Sequence, residues 1–193
     1  MTRDDRGNFV DSEGVETESR QIVVKDARQL PPENTMSLMR NGFELLEKAV
    51  PSYDFLDHEE VITSYYRDCE EIVAEATSGK VWAFDHNIRS AGGLADKRRV
   101  KGGQDVQGPA HIVHGDYTLR SARDRLRQLT QASSVNDTLR QVVPKGHGLI
   151  PEEAANSALK DGGRFAIINV WRNIEAVPVA THPLALCDGQ SVQ

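Results

Sequence analysis

The chain has 193 residues, which is room for one domain of ordinary size. Apolar residues make up 38% of it and charged residues 27%, a composition typical of a globular protein rather than a disordered one. Its 23 basic and 29 acidic residues give a net charge of −6. Because phosphate binding favours a basic surface, we expect no nucleic-acid partner.

The two cysteines and the N-terminus indicate a cellular compartment. Cys69 and Cys187 cannot form a disulfide framework, so we expect reduced thiols, with Cys187 packed in the core. The polar N-terminus has no apolar leader, and no run approaches the roughly 18 apolar residues of a membrane helix. These features predict a cytoplasmic protein without a membrane partner. Residues 1–20 are polar and predicted to be a weakly ordered arm, before one domain at 21–193.

Hydrophobic periodicity divides the domain into helices followed mainly by strands. Apolar residues at helical spacing predict helices over 36–49, from Asp57 to Gly79, 121–129 and 151–159. Runs of β-branched and apolar residues predict strands at 21–25, 81–86, 110–117, 164–171 and 184–187. The order of these elements favours an α+β fold over a doubly wound parallel sheet.

The triplet His114-Gly115-Asp116 is the main candidate for chemistry. Residues two apart in a strand point to the same side, so the imidazole and the carboxylate would converge. A 2-His-1-carboxylate iron site takes two of its three ligands from such a pair. The alternative is a hydrogen-bonded surface pair, since His-x-Asp triplets are common by chance.

A third ligand would have to come from another histidine. We expect His58, at a helix start, and His147, in a glycine-flanked loop, to face solvent. His111 is an odd number of residues from His114, which predicts the opposite side of the strand. His182 is the remaining candidate in a later β element, and the alternative is a loop histidine before a proline.

Two arginines are candidate binding residues for an oxo-acid cosubstrate. Arg89 follows the predicted strand at 81–86, and Arg172 follows the one at 164–171. A guanidinium binds a carboxylate through two parallel hydrogen bonds, as an oxo-acid requires. Either arginine could equally pair with a structural carboxylate.

Four segments taken together resemble one protein family. The sequence from about residue 23 to 188 is similar to the hydroxylase/desaturase family that contains the fungal aspergillic-acid desaturase, fungal meroterpenoid Fe(II)/2-oxoglutarate oxygenases and the cephamycin methoxylation accessory protein. The segments that carry the resemblance are FDHNIR at 84–89, HGDYT at 114–118, RFAIINVWR at 164–172 and PLALCD at 183–188.

The resemblance implies a non-haem Fe(II), 2-oxoglutarate-dependent hydroxylase or desaturase of a small secondary metabolite. It also implies a double-stranded β-helix (a jelly roll) with N-terminal helices. His114 and Asp116 match the first two iron ligands of the family. Residues 169–172 match a family signature whose individual roles are not assigned.

The family's distal iron ligand and its oxo-acid-binding arginine follow the PLALCD segment, whereas this sequence ends at Gln193. We therefore expect an incomplete oxygenase with low stability or with association through unpaired strand edges. The alternative is a non-catalytic fragment or an accessory subunit. Methyl transfer is less favoured, because no glycine-rich methyl-donor loop is found.

Overall fold

The computed structural model describes residues 2–3, 9–11, 16, 18–49, 51–92, 106–134, 137–141 and 143–191. Strand β1 (Thr2–Arg3) pairs antiparallel with β2 (Phe9–Asp11). The helices are α1 (Leu38–Asn41), α2 (His58–Glu60), α3 (Tyr66–Thr77), α4 (Leu119–Gln128) and α5 (Glu152–Leu159). Short 3-10 turns lie at Ala27–Gln29, Pro32–Asn34, Thr138–Gln141 and Gly189–Ser191. Within this described part, no helix is both long and apolar enough to cross a bilayer.

The longest helical segment joins α2 to α3 through a π-helical stretch, Val61–Tyr65. It begins where the sequence predicts, because the Asp57 carboxylate accepts hydrogen bonds from the backbone N–H groups of Glu59 and Glu60. It ends at Thr77, since Ser78 adopts a left-handed conformation with a φ of 56°. This helix prediction is confirmed, with its end two residues before Gly79.

Helices α4 and α5 are also confirmed. Helix α4 begins two residues earlier than predicted because Thr118 and Ser121 form a capping box. Helix α5 follows Pro151, with Glu152 and Glu153 in its first turn, where the helix dipole favours anions.

Glycine permits a close backbone contact between the residues that follow α4 and those that precede α5. A Cβ atom on Gly148 would lie 2.2 Å from the carbonyl carbon of Thr130, so a larger residue would displace the backbone. Ile150 donates its backbone N–H to the carbonyl of Leu129, which connects the same two segments.

The predicted helix over 36–49 is much shorter than expected. Only Leu38–Asn41 is helical, because Gly42 takes a left-handed φ of 81° that ends the helix. Residues 43–49 lie outside regular structure. The apolar spacing continued past a helix-ending glycine, and that part of the prediction is wrong.

Among the described residues, the buried apolar side chains form two small clusters. One consists of Val61, Ile62, Tyr66 and Leu139, and the other of Leu126, Ile150 and Ala155. Leu149 is partly buried and packs against both clusters, so it connects the helix of residues 58–77 to α4 and α5. Cys187 is exposed, and its predicted place in the core is wrong.

The five predicted strand segments lie outside the helices. Among the described residues, β1 pairs with β2, and a parallel bridge joins Arg89 to Gln107. The predicted strands therefore have no ladder here, and the double-stranded β-helix stays a prediction. Most of the predicted arm at 1–20 lies outside the described residues, and its described part includes β1 and β2.

Candidate functional site

The structure brings His114 and Asp116 together, although the segment does not form the strand on which the two-residue spacing argument rests. Nε2 of His114 lies 3.4 Å from Oδ1 of Asp116. The two side chains are 36% and 49% exposed, so both are accessible to a solute. The pair lies just before α4, in a segment without regular structure.

The contact between the His114 ring and a backbone carbonyl indicates which ring nitrogen carries the proton. Its Nδ1 lies 3.0 Å from the carbonyl oxygen of Ile112. A carbonyl can only accept, so Nδ1 carries a proton and donates it. In the neutral imidazole, Nε2 is then an acceptor that faces another acceptor, Oδ1 of Asp116. A second proton on the ring or a cation between the two atoms would make this contact favourable.

The second carboxylate oxygen of Asp116 is bound by a residue 53 positions further along the chain. Nδ2 of Asn169 donates to Oδ2 of Asp116 over 2.8 Å. Asn169 belongs to the predicted strand at 164–171, so two separate segments contribute to this site. Sequence reasoning assigned no role to Asn169.

The candidate oxo-acid arginines have other contacts. Nη1 of Arg89 donates to the carbonyl of Gly108 over 2.9 Å, and the Arg172 guanidinium lies 5.8 Å from the centre of the Tyr65 ring. Within the described residues, neither guanidinium hydrogen-bonds to His114 or Asp116. Their role in binding an oxo-acid stays a prediction.

His182, the candidate third ligand, lies against His111. The centres of their rings are 5.0 Å apart at an angle of 74°, and His182 has a left-handed φ of 53°. Among the residues that the structure describes, no three His, Cys, Asp or Glu side chains are placed to hold one metal ion. The predicted iron site therefore stays a prediction, and His114 and Asp116 are its two candidate ligands that lie side by side.

A second histidine cluster is buried against the helical core. His58 is 5% exposed, so the prediction that it faces solvent is wrong, whereas His147 is exposed as predicted. The His58 ring lies 5.4 Å from that of His86, and the Tyr66 hydroxyl lies 2.9 Å from Nδ1 of His86. His58 is four and eight residues before Ile62 and Tyr66, a helical spacing that could have predicted its burial.

Burial controls protonation in this cluster. It lowers the pKa of His86 to about 4; the neighbouring His58 acts in the same direction, and Asp85 opposes both. Burial also raises the pKa of the Tyr66 hydroxyl. His86 is therefore neutral at pH 7. Nε2 of His58 lies 3.2 Å from the carbonyl oxygen of Thr138, and its Nδ1 has no hydrogen-bond partner among the described residues.

Tyr65 and Cys69 also belong to the packed part of the helix of residues 58–77. Burial raises the pKa of the Cys69 thiol and that of the Tyr65 hydroxyl. A thiol with a raised pKa stays protonated at neutral pH and is a poor nucleophile. Tyr65 packs against the apolar cluster that contains Tyr66.

Comparison with known families identifies the class of protein. The profile of the family described as "Oxidoreductase/YMDC permease-like domain" matches residues 2–144 and 133–193. The chain belongs to this oxidoreductase-type family. No solved structure matches the chain.

Three relatives illustrate the range of the family. A Methylophilus leisingeri protein, described as an uncharacterized protein in the dcmA 3' region, is 38% identical over 176 residues, 90% of this chain and 80% of that protein. An oxidoreductase of Emericella nidulans is 28% identical over 172 residues, 88% of this chain and 49% of the relative. The alpha-ketoglutarate-dependent dioxygenase tstK of Talaromyces stipitatus is 29% identical over 176 residues, 88% of this chain and 52% of the relative.

These matches confirm the resemblance inferred from the sequence. The chain spans about half the length of the two fungal relatives and most of the bacterial one. The matches establish an oxidoreductase-type family.

Proposed function

We propose that this chain supplies part of an Fe(II) site in a 2-oxoglutarate-dependent oxygenase, which hydroxylates or desaturates a small secondary metabolite. The relative named as an alpha-ketoglutarate-dependent dioxygenase supports this reaction class. The geometry of His114 and Asp116 supports the place of the iron. The jelly-roll fold is part of the same proposal.

The single observation that carries the proposal is the short distance between Nε2 of His114 and Oδ1 of Asp116. Two protein ligands on one ion, with bonds of about 2.0–2.2 Å at angles of roughly 90–110°, lie about 2.8–3.6 Å apart. The separation between Nε2 of His114 and Oδ1 of Asp116 is 3.4 Å. An imidazole nitrogen and a carboxylate oxygen are also the donors that a non-haem Fe(II) site uses. These two residues therefore fit two positions of such a site.

The iron, when bound, would supply the chemistry that couples oxygen and 2-oxoglutarate to oxidation of an unactivated carbon. The protein's own residues have simpler tasks. His114 and Asp116 would hold the ion on one side, and the remaining positions would stay open for small molecules. In this proposal Arg89 or Arg172 binds the far carboxylate of 2-oxoglutarate, because a guanidinium matches a carboxylate in charge and shape.

Metal titration of the Asp116→Ala variant tests the proposal. We expect the wild-type protein to bind Fe(II) anaerobically, and the variant to lose more than the roughly 10–100-fold that loss of an outer-shell partner costs. Asp124→Ala is the matched control, because Asp124 is exposed and pairs with Arg127 on α4. 2-Oxoglutarate should strengthen Fe(II) binding in the wild type if both occupy one site.

Equal Fe(II) affinities in the wild type and the Asp116→Ala variant would contradict the iron site. The better proposal would then be the alternative, a non-catalytic fragment or an accessory subunit.

A further inference from the structure

We infer that Asn169 is a positioning residue that holds the Asp116 carboxylate so that one oxygen alone faces the ion. This inference rests on the proposed iron site. The observation that carries it is that the two oxygens of the Asp116 carboxylate have different partners. Oδ2 accepts a hydrogen bond from Nδ2 of Asn169 over 2.8 Å, whereas Oδ1 faces Nε2 of His114.

The carboxylate needs such a partner because its surroundings are open. The Asp116 side chain is 49% exposed and lies in a segment without regular structure, so packing alone does not fix its rotation. A single hydrogen bond to one oxygen selects the orientation in which the other oxygen points to His114. Ordering the ligand before the ion arrives lowers the entropy cost of binding.

The chemical type of the partner also fits the task. A carboxamide N–H donates a hydrogen bond while the group stays neutral at every pH. A lysine or arginine in the same place would neutralise the carboxylate and repel a divalent cation. Asn169 therefore orients Asp116 without removing the negative charge that attracts the metal ion.

His114, the other proposed ligand, is also held by a hydrogen bond at one of its two polar atoms. Nδ1 of His114 is anchored by the carbonyl of Ile112, which leaves Nε2 facing the carboxylate. Each of the two ligands thus has one polar atom bound by the protein and one atom directed to the shared position. Outer-shell hydrogen bonds of this kind fix ligand orientation at metal sites. The assignment gives Asn169 a role within the family signature at 169–172.

The test compares Asn169→Ala with Asn173→Ala, using Co(II) as the probe. Asn173 is an exposed asparagine of the same segment whose Nδ2 donates to the carbonyl of Val177. We expect Co(II) affinity to fall about 10–100-fold in Asn169→Ala and to stay at the wild-type value in Asn173→Ala. Both variants should keep the wild-type helix signal in circular dichroism and melt within about 2–4 °C of the wild type.

The visible absorption spectrum of bound Co(II) separates positioning from a general structural role. Without Asn169, both oxygens of Asp116 are free to chelate, so the coordination number rises and the visible bands change in position and intensity. Unchanged affinity and spectrum in Asn169→Ala, with Co(II) bound to the wild type, would overturn this inference alone. A wild-type protein that binds no Co(II) would overturn the proposed site and the inference together.

Discussion

Two pairs of titratable side chains lie in contrasting environments in this protein. His58 begins the helix of residues 58–77, and its ring lies against that of His86. The Thr138 carbonyl contacts the His58 ring, and the Tyr66 hydroxyl contacts the His86 ring. His114 and Asp116 lie in an open segment, and the two atoms that face each other are both acceptors in the neutral imidazole form. The first pair is bound mainly by the protein itself, and the second is the pair that we propose binds a metal ion.

The contrast shows how burial gives the two pairs different parts in folding. A desolvated imidazole such as His86 stabilises the fold only in its neutral form, so its protonation and the folded state are linked. An exposed pair contributes little to folding but remains available to a cation. Substitutions in the first pair should therefore change stability, and substitutions in the second should change binding.

The largest expected effect is that of Tyr66→Ala. Tyr66 is 6% exposed and belongs to the apolar cluster at Val61, Ile62 and Leu139. We expect the free energy of unfolding in urea to fall by about 3–5 kcal/mol, since a large buried side chain leaves a cavity. Tyr117→Ala is the control, because Tyr117 is 38% exposed, and its cost should be less than half as large. Equal losses in the free energy of unfolding for the two variants would contradict the contrast between the buried and the exposed region.

We expect a smaller change in the free energy of unfolding when the pH is lowered. The pKa of His86 is about 4 in the folded protein and about 6.5 in the unfolded chain, so the unfolded chain binds the proton more tightly. The free energy of unfolding should therefore decrease as the pH falls from about 6.5 to 4, by up to about 3 kcal/mol. Urea denaturation as a function of pH measures this dependence.

Two substitutions test whether His86 causes this pH dependence of the free energy of unfolding. His86→Gln should flatten the pH dependence, because the group that gains the proton is gone. His114→Gln should leave the dependence in place, because its ring is exposed. If His114→Gln flattens the pH dependence instead, His114 rather than His86 links stability to pH, and the account is contradicted.

Sequence reasoning worked best where structure is local. The Asp57 cap and the apolar spacing after it predicted the helix of residues 58–77, and Pro151 predicted the start of α5. His114 and Asp116 do lie close together, but in a segment without regular structure rather than in the strand that the spacing argument assumed. The helix over 36–49 failed because the left-handed turn at Gly42 outweighed the apolar pattern.

Non-local contacts were harder to predict. Asn169 contacts Asp116 across 53 positions, and no local pattern encodes such a pairing. The burial of His58 was missed although its spacing to Ile62 and Tyr66 indicated it. Apolar side chains in the predicted strands, among them Val23, Val113 and Trp171, are exposed here; a sheet would bury them only through partners distant in sequence.

The most direct measurement of the central claim is the location of bound Co(II) by paramagnetic NMR of the full chain. The account predicts that the largest shifts fall on the His114 ring and the Asn169 side-chain amide, with the His58 and His86 rings much less affected. Shifts centred on His111 and His182, with the His114 ring unmoved, would contradict it.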